Sequence, residues 1–180
     1  MQQQTGNLIV DRCIGVLKLD VPTYEEIEHD PSATQQAAIV VGVVAIAGAI
    51  GGANEGFGGI VAGLLSAFIG WFVYAGLTYF FGTQLFGTPT TSTTFEAVLR
   101  TLGYARVPGI LSVVGFIPII GWLIAFIGAI WGIITAVIAI RQSLNITTGR
   151  AIITAIIAGI AAAIITGILG LIFGIGFYAF

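Results

Sequence analysis

AIITAIIAGIAAAIITGILGLIF, residues 151–173, contains no charged side chain. A helix rises about 1.5 Å per residue, so about 20 such residues cross about 30 Å of hydrocarbon. A transmembrane strand would alternate polar with apolar positions, and this run is apolar on every side. In lipid, a segment must satisfy its own backbone hydrogen bonds, which leaves a membrane-spanning helix.

The rest of the chain follows suit. Of its 180 residues 57% are hydrophobic and 8% charged, with a mean hydropathy of +1.06, values that belong to a membrane protein. Runs at 36–54, 58–82, 95–117, 119–141 and 150–178 are read as five spans. Pro118 and Gly121 in FIPIIG (116–121) separate the third from the fourth, because proline lacks a backbone donor and disfavours helix in the residue before it. A re-entrant pair across 95–141 is the competing parse. The expected architecture is an all-α membrane protein, a five-transmembrane-helix bundle behind an N-terminal interfacial helical segment. Residues 1–35 form the cytoplasmic segment and 36–180 the transmembrane domain. The start, MQQQTGN, lacks the basic region and cleavage site of a secretory signal, so nothing is expected to be removed. Cys13 is the sole cysteine, so no internal disulfide or cysteine zinc cluster is expected. A net charge of -2 gives no reason to expect nucleic acid as a partner.

Charge placement sets the orientation. With five spans, Arg12, Lys18, Arg100, Arg141 and Arg150 fall on the side of the N-terminus, and Arg106 lies within the third span. The opposite side carries Glu55 and no basic residue. The positive-inside rule then puts the N-terminus in the cytoplasm and the C-terminus outside, and the sequon Asn145-Ile146-Thr147 faces the cytoplasm, unglycosylated.

Two polar segments precede the first span. In NLIVDRCIGVLKLD (7–20), a helical projection puts Ile9, Val10, Cys13, Ile14, Val16 and Leu17 on one face and Asp11, Arg12, Gly15 and Lys18 opposite. This is a helix lying in the membrane interface, or a cap packed on the bundle. YEEIEHDPSATQQAA (24–38) gathers Glu25, Glu26, Glu28 and Asp30 with the only histidine, His29, as either a solvated lead-in or a recognition surface. Thr23 with Glu26, Ser32 with Gln35 and Thr93 with Glu96 have the spacing of capping boxes at helix starts.

Twenty-six glycines are too many for loops alone. Gly48/Gly52, Gly59/Gly63, Gly128/Gly132 and Gly170/Gly174 have small-xxx-small spacing, and Ala155, Gly159, Ala163 and Gly167 form a groove along span five. They are expected to pack spans within the monomer, with a homo-oligomer seam as the alternative. Catalytic motifs such as HExxH, CxxC and GxSxG are absent, so neither an enzyme nor a cofactor or metal site is expected. No carboxylate sits well inside a span, so transport lacks its usual acid. The expected contacts to a partner protein or to membrane lipids are Arg12, Lys18, Glu25, Glu26, Glu28, Arg100, Tyr104, Arg106, Arg141 and Arg150. Arg106 stands about ten residues into its span, either snorkelling toward the headgroups or facing a cavity open to a lipid phosphate.

Arg12, Leu17, Asp20, Tyr24, Ile27, Asp30-Pro31, Thr34 and Ala37, followed by LGYARVP (102–108), IPIIGW (117–122) and AIRQSL (139–144), together resemble the Yip family of Rab/Ypt-interacting membrane proteins. The resemblance covers nearly the whole chain. It implies five spans with a cytosolic N-terminus and, in eukaryotic members, an adaptor role in ER and Golgi traffic. Those members present a long cytosolic tail, whereas here about 35 residues precede span one. The chain therefore looks like the short prokaryotic branch, and a non-enzymatic scaffold or adaptor is expected ahead of a permease or channel component, or a subunit of a larger membrane complex.

Overall fold

The apolar runs and their polar punctuation become seven α-helices in the computed structural model, which describes residues 2–52, 56–89 and 91–173. Helices α1 (Gln2–Leu17) and α2 (Val21–His29) form an N-terminal hairpin. The long apolar helices are α3 (Ala33–Gly51), α4 (Gly56–Gln84), α6 (Ile120–Leu144) and α7 (Thr148–Phe173). Between α4 and α6 lie α5 (Phe95–Tyr104) and a 3₁₀ helix, Val107–Val114. Among the described residues, five segments are long and apolar enough to cross a membrane: Ala33–Gly51, Gly58–Gln84, Phe95–Val114, Ile120–Leu144 and Thr148–Ile172.

The third span differs from the expected single helix over 95–117. It is α-helical only to Tyr104 and continues as 3₁₀ from Val107. Pro108 sits in the first turn of the 3₁₀ helix, where its missing N–H is harmless, but it cannot donate back to Tyr104 as an α-helix would require. The break is satisfied from outside, because the Thr135 hydroxyl of α6 donates to the Ala105 carbonyl at 2.7 Å. The segment nevertheless crosses beside α3 over its whole length. Gly103 faces Ala37, Gly109 faces Val44, and Gly51 faces Ser112 and Gly115, so the chain advances along α3 instead of turning back. It is also the innermost segment, 61% buried where the other four are 22–33% buried.

Those four present large apolar side chains outward, among them Phe72, Phe126, Ile133, Ile156 and Leu171. Such a surface is tolerable in hydrocarbon and aggregation-prone in water. Inside, Trp71 is almost wholly buried and its indole N–H donates to the Leu99 carbonyl at 2.9 Å, tying α4 to α5.

Two tight turns bend the chain at non-glycine residues. The link from the third to the fourth span falls at the expected FIPIIG, where Ile119 (φ 66, ψ -58) is the centre of a γ-turn closed by Ile120 N–H donating to Pro118 C=O at 2.7 Å. This hand of γ-turn is strained. The α1–α2 turn is a Schellman motif: Asp20 N–H donates to Gly15 C=O and Leu19 N–H to Val16 C=O, both at 3.0 Å, with Leu19 (φ 60) in the left-handed position usually held by glycine.

The helix starts differ from the expected capping boxes. Asp20, not Thr23, caps α2, accepting from the Thr23 N–H at 3.3 Å and the Thr23 hydroxyl at 2.6 Å. Thr94, not Thr93, caps α5 by accepting from Ala97 N–H at 3.2 Å. Ser32 precedes α3 but makes no side-chain cap; its own N–H and hydroxyl donate to Asp30. A carboxylate is the stronger acceptor, so Asp20 takes the cap of α2 and Asp30 draws the Ser32 N–H and hydroxyl to itself.

The glycine contacts are also redistributed. Gly128 packs on Pro108 and Leu111, but a side chain at its motif partner Gly132 would meet open space, as it would at Gly63 and Gly167. Close approaches fall instead at Gly51, Gly82, Gly103, Gly109 and Gly121, among others. The expected partner Gly174 lies outside the described residues.

Candidate functional site

Arg12 organises the polar end of the bundle. It was expected on the solvent side of an amphipathic helix, but it is 3% exposed, with Val16 buried beside it, while Val10, Ile14 and Leu17 of the apolar face point outward. The helix is rolled because the arginine has acceptors within the protein. Its guanidinium donates to Glu26 Oε1 from Nε (3.1 Å) and Nη2 (2.8 Å), to Asp30 Oδ2 (2.6 Å) and to Gln36 Oε1 (2.8 Å). Tyr104 of α5 donates its hydroxyl to the same Gln36 oxygen at 2.7 Å. One arginine thus joins α1, α2, α3 and, through Gln36, the third span.

Several contacts reinforce this closure. Gly15 of α1 sits directly on Thr23 of α2, where any larger side chain would collide. Tyr24 and Ile27 of α2 are fully buried, and the Tyr24 hydroxyl donates to Val16 C=O at 3.2 Å. The Trp131 indole of α6 donates to Leu17 C=O at 3.1 Å. At the end of α1 the Leu17 carbonyl is thus taken by Trp131, and the Val16 carbonyl, which already accepts from Leu19 N–H, takes Tyr24 as a second donor. Arg100 of α5 donates to the Asp30 carbonyl (3.3 Å) and the Thr34 hydroxyl (3.4 Å).

Electrostatics follow the geometry. Burial works against the charge of Asp30, but hydrogen bonds from Arg12 and Ser32 outweigh it and hold the carboxyl below its ordinary value. Burial likewise opposes charge on Arg12, and its bonds to Asp30 and Glu26 prevail, raising its pKa. Burial pushes the Glu28 carboxyl up against the opposing charges of His29 and Arg100. Burial also pushes the Cys13 thiol up to about 11, leaving it protonated and unreactive at neutral pH.

The expected contact residues therefore divide. Arg12, Glu26, Tyr104 and Arg100 meet in one network around Asp30 and Gln36. Glu25 lies in a second chain, accepting from Gln142 at 3.1 Å, with Arg141 donating to the Gln142 oxygen at 3.1 Å. Arg150 donates to the Phe86 and Gly87 carbonyls at 3.2 and 3.0 Å, just beyond the end of α4. Lys18 is exposed beside Asp11 and Asp20. Arg106 joins none of these groups. Gln36 and Asp30 complete the central network and were absent from the expected contacts. A glutamine on the threshold of an apolar run was the available signal, since a polar group buried there needs a partner.

The matched stretches noted in the sequence, Asp30-Pro31, LGYARVP and AIRQSL, all contribute to this one end. The family model of the Yip1 domain matches residues 14–177. The chain belongs to the Yip1 family. No curated protein and no solved structure matches it. As a Yip1-family protein with five apolar spans it is an integral, multi-pass membrane protein, from a family not known for enzymatic activity. Arg12 precedes the matched segment, yet its partners Glu26, Asp30, Gln36 and Tyr104 all lie inside the Yip1 domain.

Proposed function

We propose that this Yip1-family protein is a non-enzymatic membrane scaffold, with its N-terminus in the cytoplasm and its C-terminus outside, in a prokaryotic cytoplasmic membrane. Its cytoplasmic face, made of residues 7–30 and the 83–96 and 141–150 loops, docks a partner protein through exposed acids on α2. The carrying observation is that α2 is held in one orientation by Arg12 and by the burial of Tyr24 and Ile27, while Glu25 and Glu26 stay exposed. A preordered acidic face loses little entropy on binding and complements a basic partner. Glycine-to-backbone contacts between spans, as at Gly51 and Gly121, favour a closed scaffold over a permease.

Two expected outcomes test this reading. Glu25→Gln with Glu28→Gln spares the Arg12 partners, so insertion should be unchanged while crosslinking to the partner in native membranes, identified by mass spectrometry, falls at least about threefold; undiminished crosslinking would return these acids to a merely solvated role. For topology, cysteines at positions 4 and 145 in a Cys13→Ala background should label only from the cytoplasm, and one at 179 only from outside. Labelling of 4 and 179 from one side would remove the five-span arrangement.

A further inference from the structure

Arg106 stands where the α5 helix gives way to 3₁₀, between Gly103, which faces Ala37 and Trp71, and Gly109, which faces Val44. That level is about 10 Å along α3 from its polar start at about 1.5 Å per residue, beneath the layer of Arg12, Gln36 and Tyr104. Arg12, Arg100, Arg141 and Arg150 each donate to at least one acceptor in the protein. The Arg106 side chain has no hydrogen-bond acceptor among the described residues, and it is only partly exposed.

Among the described residues no carboxylate bonds to it. Six acids lie at or before Asp30, Glu55 follows the first span, and Glu96 is in the first turn of α5. Four of these six acids are engaged: Glu26 and Asp30 by Arg12, Glu25 by Gln142, Asp20 by Thr23. The ionisable side chain that interacts with Arg106 is Tyr74 of α4, a hydroxyl donor, whose ring lies against Gly159 of α7. A guanidinium and a phenol are both hydrogen-bond donors, and an anion with several acceptor oxygens can accept from each.

We propose that Arg106 and Tyr74 together bind the phosphate of an anionic phospholipid drawn into the bundle from the cytoplasmic leaflet. A guanidinium inside a span is costly without an acceptor, and the membrane supplies phosphodiester anions in excess beside it. Arginine matches phosphate with two parallel N–H donors, which a lysine does not. The Tyr74 hydroxyl donates to a further phosphate oxygen. Inorganic phosphate offers the same chemistry from solution, and the test separates the two sources.

The experiment is native mass spectrometry of the purified full chain in detergent doped with phosphatidylglycerol, with thermal unfolding measured on each variant. Wild type should retain one phosphatidylglycerol per chain. Arg106→Leu should weaken retention by about tenfold or more, the loss of a charge-assisted hydrogen-bond pair, and Tyr74→Phe by a smaller factor. Arg106→Lys keeps the charge and should retain the lipid in part. Should Arg106→Leu fail to fold, Tyr74→Phe and Arg106→Lys carry the test, both expected to bind more weakly than wild type. Equal retention in wild type and the folded variants overturns the site. Displacement of the lipid by millimolar inorganic phosphate in wild type, absent in Arg106→Leu, would reassign it to a soluble anion and overturn the lipid assignment.

Discussion

Arg12→Ala will detach the α1–α2 hairpin from the bundle while leaving the five spans inserted. The substitution leaves Gln36 buried with a lost donor and separates Asp30 and Glu26 from their cation. Removing one partner of a buried ion pair commonly costs about 3–5 kcal/mol. Here Glu26 is 54% exposed and Asp30 27%, so both can turn to water, and about 2–3 kcal/mol is expected. At about 1.4 kcal/mol per tenfold, amide exchange in α1 should quicken by roughly 30- to 150-fold, with that in α6 and α7 unchanged. Unaltered exchange would mean that Val16, Tyr24 and Ile27 hold the hairpin by apolar burial alone. Acid should mimic the substitution. The Asp30 carboxyl is held below its ordinary value, so its contribution is complete above the ordinary carboxylate range of about 4 and is lost as the pH falls through its lowered value. Arg12 is shifted upward, so its share is present at every pH below the ordinary guanidinium range and is lost only in strong alkali.

The spans were legible because a lipid-facing helix is uniform in chemistry: α6 and α7 need only be apolar and long enough, and their residues say so one by one. The turn at FIPIIG was legible for the opposite reason, as proline and glycine punctuate a run whatever surrounds them. What the sequence did not disclose was set by partners far along the chain. Arg12 reads as a solvent-facing residue on α1 because Gln36, 24 residues from it, and Tyr104, 68 residues beyond Gln36, are invisible to a helical projection. The caps were misplaced by hydroxyl spacing because neighbouring carboxylates or a better-placed threonine competed for the same role. The break after Tyr104 was misread because Pro108 can end a helix or merely kink it, and here Thr135 on another helix stabilises the ended form.

The glycines test that same limit, because spacing alone marks many positions and geometry selects few. A side chain added at Gly103 would sit 2.8 Å from the Cβ of Ala37 and 2.9 Å from Trp71 Cζ2. Trp71 is 1% exposed and its indole is tied to the Leu99 carbonyl, so it cannot withdraw without breaking that bond. At Gly121 the obstruction is backbone, the Val114 carbonyl together with Gly115 Cα at 3.0 Å, which cannot rotate away at all. Overpacking of a tight interior costs about 1–3 kcal/mol, and more where the neighbour is rigid, so Gly103→Val and Gly121→Val should each lower stability by about 3 kcal/mol or more. Gly132→Val and Gly63→Val, which meet open space, should cost well under about 1 kcal/mol, since lipid accepts the added methyls and only helix propensity changes. Thermal unfolding of the four variants in one detergent separates the pairs. If Gly132→Val or Gly63→Val proved as damaging as Gly103→Val, those glycines would be packing against a second copy of the chain, and the bundle would be closed by its neighbour as well as by itself.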